Sequence, residues 1–197
     1  YPRTNSQKLP PTLNNREILE KIRNQHRYSR LVSLLLQEVR GILKPHNGPK
    51  DDPAHPAIYP TGETTSRKLS SIHWKIYDLI VRRYLATFAK PAKLRYFNIV
   101  FEACGRRYSL HGLKIVDKGW FKYYPFSQPR EEIVPIEKFE IGLRIPLKNT
   151  SLKIRYSSPP LPPSRYSLLK WMEEVEIGTE STRAEIIETL YKRGYLV

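Results

Sequence analysis

Cysteine and methionine are nearly absent from this chain, with Cys104 and Met172 the single examples among 197 residues. A lone cysteine excludes an internal disulfide and suits a reducing cytosol. No Cys/His cluster has the spacing of a zinc site. No apolar run is long enough for a transmembrane helix, and no stretch reads as a secretory signal. Internal repeats are lacking too. Acidic residues are the scarcer charge: 19 Asp and Glu stand against 34 Lys and Arg, a net charge of +15. Such an excess suits a polyanionic partner, nucleic acid foremost, although a merely basic protein or one that touches anionic lipid fits the charge alone. Thirteen Tyr and three Trp interleave with the basic residues and offer rings on which single-stranded bases can stack. Scarce Cys and Met alongside 17 Pro are compatible with a thermophile. The first residue is Tyr, so the expectation is a fragment, a processed product or one part of a split protein.

What is present at the start of the chain is Tyr1-Pro2-Arg3-Thr4-Asn5-Ser6-Gln7-Lys8-Leu9-Pro10. A tyrosine hydroxyl, with an ordinary pKa of about 10, is a weak nucleophile at neutral pH. An arginine two residues away can lower that value and neutralise charge on an attacked phosphate. In an extended segment residues i and i+2 share a side, so Tyr1 and Arg3 can face one phosphate together. A polar tail with a chance Tyr and Arg has the same composition. A second stretch, Asp52-Pro53-Ala54-His55-Pro56-Ala57-Ile58-Tyr59-Pro60-Thr61-Gly62, sets one histidine in a proline-framed loop. Flanking prolines keep His55 out of a helix interior. A third, Ile177-Gly178-Thr179-Glu180-Ser181-Thr182-Arg183-Ala184-Glu185-Ile186-Ile187, places hydroxyls and an arginine at a helix start.

Together the first two stretches, in this order and about fifty residues apart, resemble the active-site segments of type IA DNA topoisomerases, most closely the archaeal topoisomerase I/III branch. The third resembles the same family, so the likeness runs over nearly the whole chain. It implies that Tyr1 is the nucleophile, that Arg3 stabilises the phosphoryl charge and that His55 lies against the DNA phosphates near the cut. Thr4, Ser6, Ser181, Thr182 and Arg183 are the implied DNA contacts. Helix N-termini suit phosphate because unpaired N–H groups and the dipole point at it. Glu180 departs from the family's pattern, where a proline is usual.

Periodicity predicts helices over 16–25, 29–43, from 66 or 70 to 89, 167–175, and a last one capped by Ser181 or Thr182 and running through 192. The longest has apolar residues on two faces (Ile72, Ile76, Leu79 and Ile80; Trp74, Tyr77, Val81, Leu85 and Phe88) and is expected to be mostly buried. Pro91 should end it, and Gly194 should stop the last. Alternation predicts strands over 94–103, 107–115, 120–124 and 138–147, continuing through Leu152, Ile154 and Tyr156. Helix, turn, helix and a strand beginning at Tyr195 form the layout of a winged helix. The expected fold class is α+β with several domains: a helical active-site domain over 1–91, an antiparallel β arch over 92–163, and the start of a winged-helix-like domain over 164–197. A proline-rich run at 159–163 marks the second boundary.

The resemblance implies reversible transesterification on single-stranded DNA through a 5′-phosphotyrosyl intermediate, in the cytoplasm at the nucleoid. It also implies a Toprim domain that binds Mg2+, and nothing here resembles one; Asp51-Asp52 reads as a solvated loop pair, and no metal ligands are assigned to this chain. The expected partners are single-stranded DNA and a Toprim-containing N-terminal portion, with no membrane. Two alternatives stand beside this reading: a non-catalytic DNA-binding module, and the topoisomerase module of a reverse gyrase.

Overall fold

In the computed structural model the described residues are 4–52, 54–64, 69–131, 134–146, 148–149, 151–160 and 162–196. Tyr1 and Arg3 lie outside them. The chain divides into two compact units, Ser6–Phe139 and Tyr1–Asn5 with Glu140–Val197.

Three helices build the core of the larger unit: α1 (Asn15–Arg23), α2 (Ser29–Val39) and α3 (Ser71–Phe88). The Asn14 side chain caps α1 by accepting from Glu17 N–H at 3.2 Å, which satisfies one otherwise unpaired donor. Ile18, Leu19 and Ile22 then share its inner face, spaced for a 3.6-residue period. They meet Val32 and Leu35 of α2 and Val81, Leu85 and Phe88 of α3, with Tyr28 between. The second helix stops at Val39, short of Leu43, because Arg40 takes a left-handed conformation at φ 43°. Ser70 caps the third, and Pro91 follows its end as expected.

Only one side of α3 is buried. Ile72, Ile76 and Leu79 face solvent, 65%, 51% and 42% exposed, which corrects the expectation of a mostly buried helix. Trp74, at the same end, is also exposed and lies under the Arg27 guanidinium. The inner side is polar at one point: buried Asp78 accepts from Arg82 Nε at 2.9 Å, and Arg27 Nε stands 3.5 Å away. An ionised carboxylate tolerates burial only with such partners.

The sheet is a two-stranded antiparallel hairpin of β1 (Lys93–Ala103) and β2 (Arg106–Asp117). Cys104 and Gly105 close it, both at positive φ, the geometry of a twist-matched two-residue turn. The expected larger β arch is corrected in three places. Residues 120–124 are not a strand, because Gly119–Lys122 is a 3-10 turn. Gly119, at φ +44°, sits so close to the Pro91 carbonyl that a Cβ there would lie 2.4 Å from its oxygen. The turn it starts sends Phe121 and Tyr123 into the interior instead of along a sheet. Lys122 Nζ and the Tyr123 hydroxyl both donate to Glu38, at 2.7 and 2.9 Å, and clip this turn to α2.

The other two corrections concern residues from Lys138 onward, almost all of them in the smaller unit. No described residue of 138–147 is in a strand: a turn at Ile141 and Gly142, where Leu143 N–H reaches Glu140 O at 3.1 Å, breaks the alternation. Leu152, Ile154 and Tyr156 form no strand either and are 93%, 74% and 90% exposed. Beyond them α4 (Arg165–Glu174) and α5 (Arg183–Lys192) pack through buried Met172 and Ile187. Arg165 pairs with Glu188 and stacks over Tyr191 at 4.5 Å. Both helices end in the paired 6→1 and 5→2 bonds of a Schellman motif: Ile177 N–H to Met172 O and Glu176 N–H to Glu173 O, then Tyr195 N–H to Leu190 O and Gly194 N–H to Tyr191 O. Gly194 is therefore the stop that was expected. Tyr195 and Leu196 do not begin a strand, so this unit contains a helix-turn-helix without a described wing. The architecture is mixed α+β, with five α-helices and one antiparallel hairpin among the described residues. None of the helices among the described residues is long and apolar enough to cross a membrane.

Burial pushes the phenols of Tyr28, Tyr84 and Tyr123 well above the ordinary value, with Asp78 adding to Tyr28 and Glu38 to Tyr123. A raised folded-state pKa contributes stability that is complete below the unfolded value, about 10, and is lost as pH rises toward the folded one. In an ultraviolet tyrosine titration, these three of the 13 tyrosines should stay protonated until the chain unfolds, then ionise with loss of helical circular dichroism. Smooth titration of every tyrosine with the helices intact would contradict the burial described.

Candidate active site

The N-terminal stretch and the histidine loop, distant in sequence, run side by side in the larger unit. Gln7 N–H donates to Lys50 O at 2.9 Å and Gly48 N–H to Gln7 O at 3.1 Å. Ala57 N–H donates to Lys8 O at 3.0 Å, and Leu9 N–H to Asn47 Oδ1 at 3.2 Å. Lys8 Nζ reaches Asp51 Oδ2 at 2.8 Å. Gly48 is what allows this approach, since a Cβ at that position would lie 2.8 Å from Gln7 Cβ and nearer still to its amide oxygen. Leu9 is buried and ties the stretch to the three-helix core. Proline-rich segments make few ladder bonds of their own, so the two pieces satisfy each other's backbone groups.

His55 is exposed on this loop, and Asp52 sets its position. Asp52 Oδ1 accepts from the N–H groups of Ala54 and His55 at 3.0 and 3.2 Å, while Oδ2 lies 3.2 Å from His55 Nδ1. An ionised carboxylate only accepts, so Nδ1 carries the proton in this contact and Nε2 is the acceptor nitrogen of the neutral ring. Partial burial opposes ionisation of Asp52, but the bonds from Ala54 and His55 outweigh it and hold the carboxyl below its ordinary value. Sequence reasoning passed Asp52 over as half of a solvated pair. Its signal was an Asx turn: an aspartate three residues before the histidine, at the head of a proline-framed loop. Asp51 is likewise engaged, by Lys8.

Ser6, in the same unit, is buried, and its hydroxyl accepts from Lys8 N–H at 3.2 Å. Thr4 is half-buried and belongs to the smaller unit. There the start of α5 is a polar knot. Thr182 stands at the N-cap position without a capping bond from its side chain, and its Oγ1 accepts instead from Thr179 N–H at 2.9 Å. Ser181 Oγ pairs with Thr179 Oγ1 at 2.8 Å. The Arg183 side chain is buried, its Nε donating to Ile177 O at 2.9 Å. Glu180 stands 3.6 Å from Arg183 Nη1 and also accepts from the Asn5 side chain. The charge that departs from the family's pattern is therefore shared between an arginine and an amide.

No group of three or more His, Cys, Asp or Glu among the described residues could hold a metal ion. With Asp51 and Asp52 both engaged, this loop does not fit a Mg2+ site. The Asp52 carboxylate should also set the tautomer of His55. Long-range 1H–15N correlation spectra near neutral pH should show the Nδ1–H form in the wild type and a shift toward Nε2–H in Asp52→Ala. An unchanged tautomer would remove Asp52 as the orienting group. Because the Asp52 pKa is lowered, its hold on the turn is complete above the ordinary carboxylate value of about 3.9 and is lost only as pH falls through the lowered one.

The family model described as DNA topoisomerase matches residues 1–197. Over the same 197 residues the chain is 47% identical to DNA topoisomerase 1 of Aeropyrum pernix and 40% to DNA topoisomerase 1 of Pyrococcus horikoshii. It is 31% identical over 196 residues to human DNA topoisomerase 3-alpha. Each match takes in 100% of this chain but only 29%, 28% and 19% of the relative. With two motif stretches laced together and a family match along its entire length, the chain belongs to the type IA DNA topoisomerases.

Proposed function

We propose that this chain carries the strand-cleaving tyrosine of a type IA topoisomerase that breaks and rejoins single-stranded DNA and so relaxes negative supercoils or unlinks strands. The Tyr1 oxygen attacks a backbone phosphorus, forming a tyrosyl–phosphorus bond as the bond to the 3′ oxygen breaks. The 3′ oxygen takes up a proton and the Tyr1 hydroxyl gives one up. Arg3 stabilises the charge on the phosphoryl oxygens. His55, held through Asp52, hydrogen-bonds the neighbouring backbone and fixes its geometry. The 3′-hydroxyl attacks back after strand passage, so no energy source is needed for the exchange. Thr4, Ser6, Ser181, Thr182 and Arg183 are the proposed DNA contacts. The domains run 1–91, 92–163 and 164–197.

The observation that carries this reading is the lacing of residues 7–9 to 47–57, which joins the segment that follows Tyr1 to the loop that holds His55. The exposed face of Ile72, Ile76 and Leu79 and the exposed Ile154 and Tyr156 support a larger whole, since apolar surfaces of this kind are normally covered. A Toprim portion outside this chain is the proposed cover and the proposed source of Mg2+ and of the general acid.

Covalent trapping tests this. An internally labelled single-stranded oligonucleotide, Mg2+ and the Toprim portion are mixed with the chain and denatured in detergent. Label should travel with this chain only when the Toprim portion is present, and Tyr1→Phe should abolish it. His55→Ala should lower the yield by about 100-fold, in the range of lost positioning contacts. Tight, salt-sensitive binding without an adduct would leave a non-catalytic DNA-binding module as the function.

A further inference from the structure

Away from the histidine loop, the larger unit has a second basic and aromatic feature. Arg83, on the exposed side of α3, lies over two rings at once: its guanidinium carbon is 5.5 Å from the Tyr124 ring centre and 6.0 Å from that of Trp120. The rings of Trp120 and Tyr124 are 6.4 Å apart and only 31° from parallel. Phe126 meets Tyr124 edge to face at 5.2 Å and is 59% exposed. Among the described residues no carboxylate pairs with Arg83, Lys90 or Lys118. Lys90 and Lys118 each immediately precede one side of the tight contact of Gly119 with Pro91 and Ala92, so their backbones come close together where α3 ends and the 3-10 turn begins. The nearby acids are spoken for: Glu38 accepts from Lys122 and Tyr123, Asp78 from Arg82, and Asp117 from Gly119 N–H at 3.0 Å.

A guanidinium held over two rings keeps its N–H fork pre-organised, at little further entropy cost, for a phosphate. An exposed phenyl ring one step away offers a face to an unstacked base. This pairing of cation and ring is how single strands are held without regard to sequence. We propose that Arg83, Trp120, Tyr124 and Phe126, flanked by Lys90 and Lys118, form a second seat for single-stranded nucleic acid, with a phosphate on Arg83 and a base on Phe126. It rests on the topoisomerase reading only for the class of ligand. The seat uses none of the residues proposed for the chemistry.

The test is fluorescence anisotropy with a labelled oligothymidylate of about a dozen nucleotides, titrated with the full chain at several salt concentrations. Phe126→Ala should weaken binding about 10-fold, the loss of one stacked base, with Tm unchanged because the ring is exposed. Arg83→Gln should reduce the slope of log affinity against log salt by about 0.7, one phosphate contact fewer. A duplex of the same length, whose bases are already stacked, should not distinguish Phe126→Ala from the wild type. If both variants bind the single strand as the wild type does, with the same salt slope, Arg83 is only a clasp between the 3-10 turn and α3. The seat is then overturned while the topoisomerase reading stands. A wild-type chain that does not bind the oligonucleotide overturns the seat together with the DNA-binding reading.

Discussion

The backbone exchange between residues 7–9 and 47–57 is the constraint on which the candidate site depends. Neither partner is a regular element, and each is rich in proline or in residues that favour turns. On their own they would leave buried N–H and carbonyl groups unpaired, at a cost comparable to a lost hydrogen bond for each. Joined, they form a short irregular ladder anchored on one side by Leu9 in the helical core. Gly48 sets the spacing, and the Lys8–Asp51 pair closes the open edge. Because exposed ion pairs contribute little, the ladder and Leu9 supply most of the hold.

The same core supports the rest of the larger unit through buried tyrosines. Tyr84 and Tyr123 each use the ring for apolar packing and the hydroxyl to reach a neighbouring element: Tyr84 donates to Asn15 Oδ1 at 2.8 Å, across from α3 to α1, and Tyr123 donates to Glu38 of α2. A phenol serves both purposes because only its tip is polar. Glu38 then ties the 3-10 turn to the helices, and Arg83 grips that turn from α3. The hairpin leaves from this well-held base, but its strands have no third partner among the described residues. Two strands alone bury little, so the hairpin depends on that base for its stability.

The candidate site was legible where its signal was local. The YPRTNSQKLP and DPAHPAIYPTG stretches, and the helix start near Thr182, were all visible as residue order, because turn chemistry and helix ends are written within a few residues. The role of Asp52 was not. A carboxylate in a loop reads as solvated unless its bonding partners are known, and those lie in the turn it creates. Nor was the engagement of Arg183, whose guanidinium bonds back to the Ile177 carbonyl before the helix that carries it.

Helix positions, the stop at Gly194, the two strands of the hairpin and the family itself were determined by the sequence alone, since periodicity, caps and turns act over short distances. Which apolar stripe of α3 is buried was decided only by the tertiary structure. Ile72 and Leu79 resemble Val81 and Leu85 in composition and period, and only the positions of α1 and α2 separate an inner face from an outer one. The 120–124 segment shows the same division. Its aromatic residues suit a strand, yet the close contact of Gly119 with Pro91, distant in sequence, bends the chain into a turn and sends Tyr123 inward. Alternation states which residues can share a face; what covers that face depends on elements elsewhere in the chain, and no local pattern encodes it.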